Sequence, residues 1–449
     1  MVPADRSSRR AGRTTRRWVR LQVGLLAAVL LTFATAAPSW GQSAPEGDDE
    51  VPPEVTAGEG GFTIASGDGD FVLDIGVDAQ FDGRFLVGEV PSNRSNTFEL
   101  RRLRPKLGAT IARRHRVSVV VDFAGGDASL KDAFIRSRLA EGLSLQVGRF
   151  KMPVGLEYLQ SSSDLLLAER GLPTDLVPGR DLGVVLNGRL LDGALQVHAG
   201  MANGVTDGAS GIGDVDTKKD AVGRIFVEPV RGERFGIGVG VGGSIGVHEG
   251  SLDAPQVPSF ETVGRQRVFR YQSEVGFPNA EANGRVTRIV PQTYVHAGPV
   301  GLLGEYAYSS QEVAEAPPEG PVILIAPRTA RLQNQAWQVA ASVVLTGENA
   351  TFGDLLPKRP FDPSRGQWGA VELAGRVQQL HIDEAAFPAF ANPATQAERI
   401  TSIGAGVKWI LDANVRLIAN YVVTQAETPT GTDLLSPETL FLARFQLNF

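Results

Sequence analysis

The sequence contains no cysteine, only five histidines and, outside its first 36 residues, no apolar run of 18 or more residues. Without cysteine no disulfide forms, so an oxidising compartment is neither required nor excluded. The histidines are scattered and show no metal-ligand spacing, so neither a metal site nor a cofactor is predicted. The missing apolar run predicts that no helix crosses a membrane. At 449 residues, the chain has room for two or three soluble domains or one large β-domain.

The first 36 residues predict a secretory signal peptide. Seven arginines between residues 6 and 20 precede the apolar stretch LQVGLLAAVLLTFA (21–34), and small residues at 34–36 offer a cleavage site. The apolar stretch is about 14 residues long, whereas a membrane anchor needs roughly 20. The segment TRRWVRL (15–21) also resembles a twin-arginine export signal. Because the signal carries a charge of about +6, its removal leaves an acidic mature chain with a net charge near −12.

Residues 37–70 predict a mobile acidic lead-in, because APEGDDEVPPEVTAGEGG is rich in carboxylates, proline and glycine. From residue 71 to 449 apolar and polar residues alternate in successive segments. Examples are FVLDIGVDAQFDGRF (71–85), RVSVVVDF (116–123) and NVRLIANYVVT (414–424). A period of two gives each segment one apolar and one polar face, which indicates β-strands.

The links between these strands are short and long in turn, as at 140–142 and 151–181. This pattern predicts an all-β fold, an antiparallel up-and-down barrel of about 16 strands. A barrel of this width encloses more volume than side chains fill, so a polar lumen and a lipid-facing apolar exterior are expected. Together with the signal peptide, this predicts a transmembrane barrel in the bacterial cell outer membrane. A soluble secreted β-protein or enzyme is the alternative.

Two enzyme-like motifs overlap in GVGVGGSIG (238–246): a dinucleotide fingerprint and a nucleophile elbow. Each motif needs a strand–turn–helix context. Here apolar residues alternate with glycines, which is typical of a barrel strand with an uncluttered inner face. Elsewhere no paired carboxylates or Ser/His/Asp arrangement stands out. The sequence therefore predicts no catalytic residues and no enzyme.

Three cations share one face of the segment FELRRLRPKLGATI (98–111): Arg102, Arg104 and Lys106. Because a lipid-facing cation costs about 2–4 kcal/mol near the bilayer midplane, these side chains are expected to face the lumen. They could form an anion-binding surface or an ordinary solvated lumen face. Pro105 cannot donate a ladder hydrogen bond, which predicts a bulge or a position at the rim.

The long link 151–181 is the best candidate for a loop folded into the pore, since a loop of this length is usually functional or disordered. Within it, SSSDLLLAER (161–170) predicts a short helix with Ser163 as the N-cap. Four basic residues frame the link: Arg149, Lys151, Arg170 and Arg180. Three more cations lie on polar faces of later strands and complete the pore-lining candidates: Arg376, Lys408 and Arg416.

Several stretches resemble one known family. They are LRRLRPKLGATI, VVVDFAGGDASLKDAFIR, LQVGRFKMPVGLEYLQSSSDLLLAERGL and RDLGVVLNGRLLDGALQVHAGMANG between 100 and 204, with KRPFDPSRGQWGAVELAGRV, GAGVKWILDANVRLIANYV and LARFQLNF towards the end. Over roughly 70–449 the chain resembles the phosphate-selective porin O and P family. The resemblance implies a 16-stranded, homotrimeric outer-membrane channel with a loop folded into each pore. It further implies conduction of phosphate or polyphosphate past arginines and lysines, and no nucleic-acid partner.

The leading hypothesis is passive diffusion of small anions, phosphate among them, through a water-filled pore lined by the cations above. A non-selective or sugar porin is an alternative. The long links 247–283, 311–330 and 381–397 favour a third, a plugged barrel with a structural or surface-binding role.

The chain ends on FLARFQLNF, whose apolar residues share one face of a predicted closing strand. Phe441, Ala443, Phe445, Leu447 and Phe449 are expected to face lipid, with Arg444, Gln446 and Asn448 towards water. A terminal aromatic residue resembles the signal by which outer-membrane barrels are assembled. Deletion of Phe449 is therefore expected to impair assembly more than conductance.

Overall fold

The computed structural model describes residues 52–58, 60–88, 96–251, 253–272, 279–316, 328–434 and 437–449. All of them belong to the second of two compact units, Val51–Phe449. The predicted signal peptide (1–36) and residues 37–51 lie outside this description. No helix among the described residues is long and apolar enough to cross a membrane.

Sixteen strands of the described chain form one antiparallel sheet that closes on itself. They are β3 (Phe71–Leu86), β4 (Thr97–Ile111), β5 (His115–Asp122), β6 (Ser129–Ala140), β7 (Leu143–Lys151), β8 (Arg180–Leu190), β9 (Leu195–Ala202), β10 (Asp220–Arg231), β11 (Phe235–Glu249), β14 (Asn279–Ala297), β15 (Val300–Ala316), β16 (Thr329–Val344), β17 (Ala370–His381), β18 (Arg399–Ile410), β19 (Val415–Glu427) and β20 (Glu438–Asn448). Each pairs with its neighbours in chain order, and β20 pairs with β3 in a register that places Phe445 opposite Phe81. The predicted barrel is confirmed.

Four further strands form two hairpins outside the barrel ring. The first consists of β1 (Glu54–Gly58) and β2 (Gly61–Ala65), and β2 pairs with the start of β3, where Phe62 lies opposite Ile75. β20 pairs with β3 only from Asp78 onwards, so β2 occupies the free edge that β20 leaves. This part of the lead-in, predicted to be mobile, is instead paired backbone.

The second hairpin lies in the link between β11 and β14. It consists of β12 (Ser259–Glu261) and β13 (Arg267–Arg270), and the rings of Phe260 and Phe269 stack at 5.6 Å.

The alternating pattern sorts side chains between the outside and the lumen. On the outside, Phe81 is 49% exposed and Phe445 is 47% exposed. On the inner face, Gln80 and Gln446 are fully buried. The apolar outer face and polar inner face thus agree with the prediction.

The last residue extends the closing strand. The Phe449 backbone exchanges hydrogen bonds with Val77, and its ring packs edge-on against Phe62 at 6.1 Å. The assembly role of Phe449 stays a prediction.

The two ends of the barrel differ in their connections. At one end, hereafter the short-turn end, tight turns join β4 to β5 and β8 to β9. Ala112–Arg113 and Leu191–Asp192 adopt consecutive positive φ angles of 51° to 53° there, as in the primed turns that match strand twist. The link 345–369 between β16 and β17 is the long exception at this end.

The opposite, long-loop end contains an apolar core. Met152, Val154 and Leu172 from the link after β7 pack in one cluster with residues of two other links. Those residues are Phe260, Val268, Phe269, Tyr271, Ile382, Ala386, Phe390 and Ala391. Because each is nearly or fully buried, burial of apolar surface stabilises the arrangement of these links inside the mouth.

Candidate channel constriction

The link between β7 and β8, residues 152–179, enters the lumen and is called the constriction loop below. It contains one short helix, α1 (Leu156–Leu159), and a 3-10 turn at Leu172–Leu176. The predicted helix over 161–170 is wrong, since those residues form turns without helical hydrogen bonding. Their backbone groups bond to wall side chains instead: Ala168 N–H donates to Asn420 at 2.7 Å, and Arg416 donates to Ser163 O at 2.7 Å.

The loop is docked on the wall formed by the later strands. Glu305 accepts a hydrogen bond from Leu156 N–H at 2.6 Å, and Gln378 accepts one from Leu172 N–H at 2.8 Å. From β14, Gln292 donates to Val154 O at 2.8 Å. Since buried backbone groups need partners, these side chains fix the path of a segment that has little regular structure of its own.

Glycines in β11 allow the loop to approach the wall closely. A Cβ at Gly242 would lie 2.1 Å from Val154 O, a distance that no side chain tolerates. A Cβ at Gly240 would collide with Phe226, which lies flat against the same strand. The uncluttered inner face predicted for GVGVGGSIG therefore receives the backbone of the constriction loop.

Glu169 connects the loop to the closing strands. Arg101 donates to it at 2.8 Å and Arg444 at 2.9 Å, while Arg444 also holds Asp82 at 2.7 Å. Burial would raise the pKa of Glu169, but the charges of Arg101 and Arg444 outweigh burial and lower the pKa well below its ordinary value. This loop carboxylate is therefore ionised and ion-paired.

Three of the predicted pore-lining cations lie in buried ion pairs. Arg376 contacts Glu157 at 3.1 Å, and Lys408 contacts Glu372 at 3.0 Å. Arg416 joins two inserted segments, since it contacts Asp164 of the constriction loop at 3.1 Å and also Asp354. Each charge is compensated, so these three cations contribute to packing of the inserted segments rather than to an open cationic surface.

The link 345–369, called the strap below, is a second inserted segment and enters from the short-turn end. The ring of Phe352 stacks on Tyr294 at 4.6 Å, and Gln160 of the constriction loop donates to Phe352 O at 2.7 Å. Burial raises the pKa of Asp354, although Arg416 opposes this shift. Asp354 and Leu356 line two cavities of about 460 and 820 Å³, so the strap separates two vestibules.

The other side of the lumen, formed by β4 to β8, has a different charge arrangement. Lys151 Nζ lies 5.8 Å and Arg170 Cζ 5.5 Å from the centre of the Tyr158 ring. Both cations donate to Gln160 O, at 2.8 and 2.7 Å. Within the described chain, no carboxylate lies within 4 Å of either charge.

Further cations surround this group. Arg180 makes a two-pronged contact to Asp132 at 3.0 Å, and Arg104 contacts Asp122 at 2.8 Å. Lys131 lies 3.9 Å from Asp122. In the described part of the chain, Arg149 donates only to backbone carbonyls, Gly211 O among them at 2.7 Å.

Across the described residues the cation cluster thus comprises six cations, which have two carboxylates within 4 Å. The cations are Arg104, Lys131, Arg149, Lys151, Arg170 and Arg180, and the carboxylates are Asp122 and Asp132. The charges of Glu157 and Asp181 act on Arg170 and Arg149 from beyond that distance. The predicted frame of Arg149, Lys151, Arg170 and Arg180 is brought together here. Lys131 and Tyr158 were missed, because a bulge in β6 turns Lys131 inward against the alternation, and no sequence pattern marked Tyr158.

The two remaining candidates flank the cation cluster. Arg102 is buried and donates to Gln80, while a bulge opposite Gln80–Phe81 also turns Arg101 inward. Lys106 donates to Asn448 at 2.7 Å and lines the 460 Å³ vestibule. Pro105 stands one residue beyond the β4–β5 ladder, which begins at Lys106, so its missing N–H costs no ladder bond to β5.

One group in the described part of the chain has the geometry of a metal site. His381, at the end of β17, and Glu384 and Glu398, in the link to β18, place ligand atoms within 4.8 Å of one another. His381 and Glu398 already pair at 3.2 Å, which satisfies both groups without an ion.

Comparisons with known proteins agree with this architecture. The family model described as phosphate-selective porin O and P matches residues 74–225, which include the constriction loop and the whole cation cluster. The resemblance predicted from the sequence is thereby confirmed for this part of the chain. No curated protein matches the sequence.

Among solved structures, the outer-membrane channel DcaP of Acinetobacter baumannii is 11% identical, with 84% of this chain and 97% of that chain covered and a TM-score of 0.52. OmpF of Salmonella typhi is 13% identical over 88% of this chain and 100% of that chain, with a TM-score of 0.49. OprB of Pseudomonas putida is 10% identical over 85% and 95%, with a TM-score of 0.48. The likeness to DcaP shows a shared fold. The chain has the closed 16-stranded barrel fold of outer-membrane channels.

Proposed function

We propose that this protein is a diffusion channel for small anions such as phosphate in the bacterial outer membrane, and that it has no catalytic role. The observation that carries the proposal is the cation cluster around Tyr158, where six cations have only two carboxylates within 4 Å among the described residues. In a narrow passage such an excess of positive charge attracts anions and repels cations.

The arrangement also suits release of the ion. Lys151 and Arg170 each already donate to two backbone carbonyls, Gln160 O among them, so part of their hydrogen-bonding capacity is used and an arriving anion meets a weak site rather than a closed cage. Lys106 continues the path into the 460 Å³ vestibule. Several weak sites in series permit both entry and exit, which conduction requires. A phosphate ion with one to two negative charges fits such a series.

The membrane location and assembly belong to the same proposal. The outward face carries exposed apolar residues all around the ring, including Phe81, Ile403 and Phe445. Lipid covers such a face at no cost, whereas water does not. The family resemblance supports a homotrimer, and light scattering of the detergent-purified protein would measure its subunit number.

Planar-bilayer recording tests anion preference directly. Under a potassium chloride gradient, we expect a reversal potential on the anion-selective side. Added phosphate should reduce the chloride current, because both ions compete for the same cations. A preference for potassium contradicts the proposal, and a chloride current that phosphate leaves unchanged supports a non-selective or sugar porin instead.

The apolar core at the long-loop end favours a second candidate, a sealed barrel with a structural or surface-binding role. Phe260, Phe269, Ile382 and Phe390 pack there against the constriction loop. Single-channel recording separates the two candidates. Stepwise ohmic openings support the channel, whereas a barrel that inserts without any openings supports the sealed form.

A further inference from the structure

A cavity of about 240 Å³ lies beside the cation cluster, between the constriction loop and the wall of β6 to β9. Lys151 and Leu159 form its boundary with the constriction. Its lining is divided by chemistry. Polar groups come from Arg136, Gln146, Asn187 and His198, and apolar groups come from Phe134, Phe150, Leu159 and Val185.

The cationic groups of this cavity have no carboxylate of their own. The Nε and Nη2 atoms of Arg136 donate to Gln146 Oε1 at 2.9 and 2.5 Å, and among the described residues no carboxylate lies within 4 Å of the guanidinium. Asp132 also lines the cavity, but both of its oxygens bond to Arg180. The local charge therefore favours an anion.

The apolar groups restrict which anion fits. Phe134 lies below the Arg136 guanidinium at 5.7 Å, and Val185 and Phe150 are almost fully buried. A phosphate ion bound here would place some of its oxygen atoms against apolar side chains. Those oxygens would lose hydrating water without gaining a hydrogen-bond donor. A small organic carboxylate matches both the polar and the apolar lining of the cavity. The guanidinium binds its carboxylate, and the apolar side chains cover its hydrocarbon part.

The volume of the cavity also favours a small organic carboxylate. Ligand pockets for drug-sized molecules span roughly 300–1,000 Å³, so about 240 Å³ suits a single small ring or short chain. The amide groups of Gln146 and Asn187 are held in place, Asn187 through His198 at 2.8 Å. These amides orient a bound ligand by hydrogen bonding, and they bring no negative charge into the cavity.

We propose that this cavity is a binding subsite for small organic carboxylates of benzoate size, next to the constriction. Its role in transport rests on the proposed channel function, whereas the binding itself does not. The arriving molecule binds reversibly through its carboxylate to Arg136 and through its body to Leu159 and Phe134.

Ligand-observed NMR on the full-length protein in detergent micelles tests the subsite with benzoate as the probe. We expect saturable binding to the wild type and at least tenfold weaker binding to Arg136→Gln, about the loss expected for one charge-assisted contact. Leu159→Asn should also weaken benzoate binding, because it places an amide on the apolar side. Acetate, which lacks the apolar body, should compete at least tenfold less well than benzoate.

Arg331→Gln is the matched control. Arg331 is a cation of β16, across the ring from β6 to β9, where it donates to Ser310 Oγ at 3.1 Å and does not line this cavity. Its loss should leave benzoate binding unchanged. Equal binding to the wild type and Arg136→Gln would overturn the proposal, as would displacement of benzoate by phosphate at concentrations as low as those of benzoate itself.

Chloride currents recorded from the same preparations separate this inference from the proposed function. Benzoate binding that depends on Arg136 in a barrel without currents supports the subsite and contradicts the channel. Anion-selective currents without Arg136-dependent benzoate binding support the channel and overturn the subsite.

Discussion

Both sides of the lumen carry cations, but the cations on the two sides have different hydrogen-bonding and charge partners. On the side of the later strands, Arg376 and Lys408 are buried against Glu157 and Glu372, and the inserted segments cover them. On the side of β4 to β8, Lys151 and Arg170 bond only to carbonyls and flank a tyrosine. The constriction loop contacts both sides, so the partner makes the difference: carboxylates neutralise Arg376 and Lys408, whereas the carbonyl oxygens that Lys151 and Arg170 contact leave their charges uncompensated.

The largest effect should come from undocking the constriction loop. Gly242→Val places a branched side chain where Val154 O now lies, so the loop backbone must leave the wall. We expect a several-fold larger and noisier single-channel conductance, because the loop no longer holds one position. Gly375→Val is the control, since a Cβ there meets only Gly404 O at 3.8 Å. An unchanged conductance of Gly242→Val would show that the loop does not narrow the path.

Breaking a covered ion pair should affect stability rather than selectivity. Lys408→Gln leaves Glu372 buried at 3% exposure without its partner at 3.0 Å. Removing one member of a buried pair costs about 3–5 kcal/mol. We expect a lower temperature of heat-induced mobility shift on gels, together with a wild-type reversal potential. A loss of anion preference in this variant would mean that Lys408 faces the solute.

Removing a charge that has no carboxylate partner should change ion selectivity and leave stability almost unaffected. Lys151→Gln keeps a donor for Gln160 O but removes a charge that no carboxylate within 4 Å balances in the described part of the protein. We expect a several-fold lower permeability ratio of chloride to potassium and little change in thermal stability. Reversal potentials measured beside those of Lys408→Gln make the comparison quantitative.

The smallest effect is a change in how the stability of the protein depends on pH. Burial, assisted by the charge of Glu261 and opposed by Arg376, raises the pKa of Asp175 in the constriction loop from 3.8 to about 7. The native state therefore holds this proton between pH 4 and 7 where the unfolded state does not, and stability falls as pH rises through that window. Asp175→Asn should raise the gel-shift temperature by a few degrees at pH 8 and leave it unchanged near pH 4. Equal shifts at both values would contradict this assignment.

Strand positions followed from the sequence because lipid and lumen impose a strict period of two on every strand. The barrel, the outward set of the closing strand and the inward face of Arg104 and Lys106 were all accessible in this way. The bulges were not, since one inserted residue in β4 or β6 reverses the alternation and turns Arg101 and Lys131 inward. Bulges carry no reliable residue signature in a single sequence.

The interior of the constriction loop could not be predicted by local patterns. Its residues 161–170 have helical propensity, but partners from strands that lie far away in the sequence decide the path of the backbone. Asn420 and Arg416 are more than 250 residues from the groups they bond to. The pairing of charges could not be predicted from local patterns either. No residue near Lys408 in the sequence indicates that Glu372 neutralises it, whereas Lys151 adjoins the constriction loop in sequence and Arg170 lies within it.

The contacts of Arg444 have a consequence for the order of folding. This residue of the last strand bonds to Asp82 of the first barrel strand and to Ala168 and Glu169 of the constriction loop, all at least 275 residues away in sequence. Contacts between such distant parts of a chain form late. The loop therefore completes its contacts only once the last strand has paired with the first, and an unclosed barrel lacks the bonds through which Arg444 joins the loop to the wall.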